Sequence, residues 1–138
     1  MSKFSGIIAV VAGVVLIVAG AATWVLVQNQ LAAEMITVAD DANCMAGKPV
    51  DGPITAYCQA DIIDDHARNA TGGLTYAELD RDDPLRAVAM NASFLRASLF
   101  TSVLAFGVSA LAGGLGVVLL FVGLAIGSMA EKMEESSA

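Results

Sequence analysis

From Ala97 to Gly127 the chain runs for thirty-one residues without one charged side chain. As a helix rising about 1.5 Å per residue, this run measures roughly 46 Å, against a bilayer hydrocarbon core of about 30 Å. It has to cross a membrane and also stand out of it on one side. A second uncharged run, Gly6 to Val27, holds twenty-two residues and makes one crossing of roughly 33 Å. The expected fold class is therefore an all-α membrane protein. Two transmembrane helices form a hairpin, with a helical extracytoplasmic loop domain on one face of the bilayer.

In chain order this gives a cytoplasmic tail over 1–5, a first span over 6–27 and a loop over 28–93. A long helix over 94–127 then contains the second span, and 128–138 form a second cytoplasmic tail, expected to fray. An apolar share of 57% follows from the two spans and is high for a soluble protein. Charge gathers in the loop: from Gln28 through Arg96, eleven Asp or Glu face five Lys or Arg. That balance argues against nucleic acid as a partner, since phosphates need a basic surface. It also gives no electrostatic hold on anionic lipid. The loop has few apolar residues for its length, so its own core is small. It has to lean on the membrane, on a disulfide or on a partner.

The N-terminal run resembles a secretory signal, with Lys3 ahead of it and Ala19 and Ala21 placed as in an A-x-A cleavage site. The apolar stretch continues past that site to Val27, which favours a retained anchor with Trp24 near the interface. Lys3 precedes this span and no Lys or Arg follows until Lys48. The first span therefore predicts a cytoplasmic N-terminus. Arg81, Arg86 and Arg96 ahead of the second span pull the other way. Long loops translocate with little regard to charge, so both termini are expected inside a plasma membrane.

Cys44 and Cys58 are the only cysteines, and both lie in the loop. In an oxidising compartment they could close a ring worth about 3 kcal/mol in the chain-entropy model. The alternatives are two free thiols or half of a metal site, and the pair lacks the further Cys or nearby His that zinc requires.

Several helix signals are legible in the loop. Asp51 can cap a helix with Pro53 in its first turn, running through an apolar stripe of Ile54, Tyr57, Cys58 and Ile62 and ended by Gly72-Gly73. Thr75 and Glu78 match a capping box, with Leu74 and Leu79 as its staple, and predict a second, short helix. Asp83 and Pro84 then open a third helix that runs without a strong breaker into the bilayer near Phe94 to Phe100. Arg96 is expected where that helix enters the membrane, its stem in the apolar layer and its guanidinium in water or on a partner.

Both spans carry small residues every seven positions: Gly6, Gly13 and Gly20 in the first, Ser102, Ser109, Gly116 and Gly123 in the second, with Gly127 four further on. That period keeps them close to one helix face. Small residues let helix backbones approach where no hydrophobic force separates helix from lipid. They either join the two spans to each other or receive another protein's helix.

Neither span contains an ionisable residue. Proton relays, ion carriers and haem held between helices need such groups at depth. In the loop, Asp61, Asp64, Asp65 and His66 form an acidic cluster in which Asp61 and Asp65 share a helix face with His66 beside them; it could hold a divalent cation, or simply be the wet side of the helix. One histidine cannot build a two-His-one-carboxylate iron site. No nucleophilic triad or phosphate-binding fingerprint is present, so no catalytic residue, cofactor or metal ligand is expected.

Three stretches carry a resemblance: Gln59 to Ile63, Thr75 to Asp80, and above all Asn91 to Phe100. Together they resemble a family of small actinobacterial membrane proteins with two helices and one extracytoplasmic loop. Members are often labelled the small subunit of an aromatic ring-opening dioxygenase, which the single histidine makes chemically implausible here. The family is similar to an association factor of the respiratory supercomplex that joins cytochrome bcc to aa3 oxidase. The resemblance implies an accessory subunit whose partners are membrane subunits of that complex. Phe94, Arg96 and Phe100 are then contact candidates where the helix enters the membrane. The rival readings are a self-associating cell-envelope protein and a loop that binds a metal ion.

Overall fold

A computed structural model describes residues 3–137. Three helices account for most of the chain: α1 (Lys3–Ala33), α2 (Pro53–Ala70) and α3 (Leu85–Ser137). α1 and α3 are each long and apolar enough to cross a bilayer. In the most apolar window of each, only 11% of residues are buried inside the chain. A core helix of a soluble protein would be buried over most of that length. α3 has 53 residues and measures about 80 Å. It continues as helix through 128–137, where fraying was expected.

The chain divides into two compact units. The first joins the N-terminal part of α1 to the C-terminal part of α3, and its helices meet backbone to backbone. A Cβ added to Gly13 would lie 2.6 Å from the Gly116 carbonyl oxygen and 2.8 Å from the Leu120 amide nitrogen. One added to Gly6 would meet Gly123 and Gly127; one added to Gly20 would meet Ser109 and Gly113. As position rises along α1 the partner position falls along α3, so the helices run antiparallel. Lys3 and Glu134 form an ion pair at one end.

The second unit spans Leu26–Phe106. Its core is small: Val38 and Val50 from the segment before α2, Ala56, Cys58, Ala60 and Ile62 from α2, with Leu79, Ala89, Leu99 and Phe106. The segment 36–50 doubles back on itself. Val38 N–H donates to the Lys48 carbonyl at 2.9 Å, and Val50 N–H to the Ile36 carbonyl at 2.8 Å. Gly47, at φ 69°, supplies the left-handed turn between them. This fold-back was not legible as an element, because its two arms are too short to show a period.

α2 begins differently from expectation. Gly52, not Asp51, is the cap, and Thr55 closes the turn: its hydroxyl oxygen accepts from the Gly52 N–H at 3.2 Å. Pro53 sits in the first turn, where a missing N–H is harmless. The helix ends at Ala70; Gly72 and Gly73 follow with φ of 65° and 91°, and the Gly73 N–H returns to the Arg68 carbonyl at 2.7 Å. The buried face also differs from the expected stripe. Thr55, Cys58 and Ile62 turn inward, while Ile54 and Tyr57 are 64% and 50% exposed. The alanines at 56 and 60 are both fully buried on that side.

The pairing of Thr75 with Glu78 forms, with the Thr75 N–H donating to Glu78 Oε2 at 2.8 Å, but it closes a single turn rather than a helix. Few residues separate Gly73 from Asp80, too few to repay helix nucleation. Leu79 of the expected staple is buried while Leu74 stays 45% exposed. Asp83 then caps α3: its Oδ1 accepts from the Leu85 N–H at 2.8 Å, which places Pro84 just ahead of the first helical residue.

Candidate functional site

The residues singled out by the sequence fall into three places. Gly6, Gly13, Gly20, Ser109, Gly116, Gly123 and Gly127 lie along the seam of the first unit, each lending or receiving a backbone approach. Ser102 lies elsewhere, in a groove of about 390 Å³ with Gln30, Glu34 and Ser98, and its hydroxyl donates back to the Ser98 carbonyl. Gly107 and Gly114 of α3 face open space, with no atom within 4 Å of an added Cβ. Within the first unit the seam thus takes one ridge of each helix, and Gly107 and Gly114 lie off it.

The second place is a polar clamp between α2 and α3. Asp64 accepts from Arg68 Nε at 2.9 Å through one carboxylate oxygen and from Arg96 Nη1 at 2.8 Å through the other. Arg96 is the expected residue at the membrane entrance, and its partner comes from its own chain. Its guanidinium carbon also sits 5.7 Å from the Phe100 ring centroid, and the Phe100 ring meets Tyr57 edge to face at 6.0 Å. Phe94 is 65% exposed. Asp64 had looked like part of a wet acidic face; instead it faces α3. The i, i+4 spacing to Arg68 was readable in the sequence, but the reach to Arg96 was not. The carboxylate holds Arg68 further toward its charged form, chiefly by hydrogen bonding.

The third place is the tie between the fold-back segment and α2. The Cys44 and Cys58 sulfurs lie at disulfide-bonding distance, with Cα atoms 5.6 Å apart. The Ala39 N–H donates to Gln59 Oε1 at 2.9 Å, and His66 Nε2 donates to Asp41 Oδ2 at 2.7 Å. The hydrogen bond from His66 holds the Asp41 carboxyl below its ordinary value. His66 is thereby turned to Asp41 rather than to Asp61 and Asp65. Among the described residues, no group of three His, Cys, Asp or Glu side chains is placed to hold a metal ion.

What the arrangement shows is two helices in backbone contact, and a segment before and including α2 fastened to α3 by charge and aromatic packing. No protein-family model, curated protein or solved structure matches the chain.

Proposed function

We propose that this protein is a non-catalytic accessory subunit of a larger membrane complex. Its two long helices form a transmembrane hairpin in the plasma membrane, with both termini cytoplasmic and the loop domain outside. One observation carries the reading. Both membrane-length stretches are free of ionisable side chains, so what they present to their surroundings is shape and apolar surface. The Lys3–Glu134 pair supports a hairpin by bringing the start of α1 to the end of α3. The cysteine pair supports a loop in an oxidising compartment.

The resemblance of Asn91 to Phe100 and its companion stretches makes the respiratory supercomplex of cytochrome bcc and aa3 oxidase the preferred complex. In that setting the uncovered faces of α1 and α3 fill a seam between larger subunits. The test is affinity purification of the tagged chain in mild detergent. Oxidase or bcc subunits should come with it in fixed ratio. Recovery of this chain alone would overturn the reading. The open Gly107 and Gly114 on α3 favour a second reading, association of this chain with copies of itself. A homo-oligomer after the same purification is its signature.

A further inference from the structure

We propose that the N-terminal end of α2 is seated in the lipid headgroup layer, so that Ile54 and Tyr57, together with Phe100 of α3, bind the bilayer surface. This rests on the reading of α3 as a membrane span. Its own support is how charge and exposure are placed along α2.

α2 runs antiparallel to the first part of α3. Tyr57 lies beside Phe100, Asp64 beside Arg96, and Ala67 lines a surface groove with Val88 and Ala92. The beginning of α2 is therefore the end that lies alongside the uncharged stretch of α3, which starts at Ala97. Charge follows the same direction. From Pro53 to Ala60 the helix carries none; Asp61, Asp64, Asp65, His66 and Arg68 all come after. The uncharged end of α2 thus lies beside the start of the uncharged stretch of α3, and the charged residues of α2 sit toward its other end.

The exposed residues on that neutral end are of the kind an interface takes up. Ile54 is 64% exposed and Tyr57 50%, although the same helix buries Cys58 and Ile62 almost completely. Phe100, packed on Tyr57, is 37% exposed. A tyrosine offers an apolar ring with a hydroxyl at its tip, which suits the boundary between acyl chains and water. The nearest preceding charge, Asp51, belongs among hydrated headgroups and limits how deep the end can sink. A segment this acidic gains nothing from anionic lipid, so the hold is apolar and works on zwitterionic membranes.

The chain contains one tryptophan, Trp24, which makes fluorescence the direct test. The full-length protein is reconstituted into phosphatidylcholine vesicles whose acyl chains are brominated either near the headgroup or near the chain middle. In a Trp24→Phe background, Tyr57→Trp and Ile54→Trp each place one indole on the neutral end; both positions are exposed, so neither change enters the core. Both should show blue-shifted emission, quenched more by bromine near the headgroup than by bromine at mid-chain. Tyr76→Trp, beyond the charged end, should keep its emission in either lipid. Unquenched emission from positions 54 and 57, with Trp24 of the parent protein quenched, would overturn the inference and leave the membrane reading standing. An unquenched Trp24 would overturn both. A blue shift at 54 and 57 seen only in native membranes, and absent in vesicles of this chain alone, would mean that a protein covers the patch, and would also overturn the proposal.

Discussion

Asp64 on α2 reaches across to Arg96 on α3, the two groups 2.8 Å apart, at the point where α3 becomes uncharged. The same carboxylate also holds Arg68, so one acidic side chain fixes two guanidiniums. Replacing it would leave both cations without their partner.

Asp64→Asn should therefore cost about 1 to 2 kcal/mol of stability in the second unit, below the roughly 1.5 to 3 kcal/mol of buried hydrogen bonds to charged groups because all three side chains are part-exposed. Asp61→Asn, on the exposed side of the same helix, should be close to neutral. Thermal unfolding in detergent, with a double-mutant cycle against Arg96→Met, separates the coupling from general loss of charge. Equal effects at positions 61 and 64 would show that the clamp contributes nothing.

The helix seam makes a sharper contrast. A methyl group at Gly13 meets backbone at 2.6 Å, whereas one at Gly114 meets nothing. Gly13→Ala should cost about 1 to 3 kcal/mol through overpacking, and Gly116→Ala the same. Gly114→Ala should leave the α1–α3 pair intact. Cross-linking of cysteines introduced on the two helices reads the pairing directly.

Cys44 and Cys58 tie the fold-back segment to α2, with Cys58 almost fully buried. Reduction, or Cys44→Ser, should remove about 3 kcal/mol in the chain-entropy model. Amide exchange should accelerate in 36–50 first, with α3 unaffected. The Asp41–His66 contact and the Gln59 bond remain in the reduced protein, so the segment should loosen rather than detach.

Acid should open the turn at Thr75. Hydrogen bonds from the Thr75 backbone N–H, then from its hydroxyl, hold the Glu78 carboxyl below its ordinary value of 4.5. A carboxyl whose folded pKa is depressed contributes stability that is complete above the unfolded pKa and is lost as pH falls through the folded one. The Thr75 amide should thus lose protection only below the usual glutamate range. Glu78→Gln should remove that acid limb without changing behaviour near neutral pH.

Much of the architecture could be read from residue order, because its causes are one-dimensional. Uncharged runs define α1 and α3, a seven-residue period marks the seam face, and Asp83 with Pro84 marks where α3 starts. Where contacts depend on the third dimension, the reading thinned. The apolar stripe on α2 was placed through Ile54 and Tyr57 because spacing cannot tell which face has neighbours. Ala56 and Ala60 are fully buried beside Thr55, Cys58 and Ile62, so the inward side is marked by small residues that an apolar stripe does not count. The reach of Asp64 to Arg96 links residues of different helices, and no local pattern announces it. The Thr75–Glu78 pairing was correct as chemistry but was assigned a helix, for which the chain between Gly73 and Asp80 is too short.

The glycine seam has a further consequence. Because close approach within the chain occupies one narrow ridge on each helix, the remaining circumference carries no duty toward the pair itself. Substitutions there can reshape what the surroundings meet while the two rods stay locked. Cohesion of the pair and the character of its outer surface are thereby assigned to separate sets of positions, and either can drift without dragging the other along.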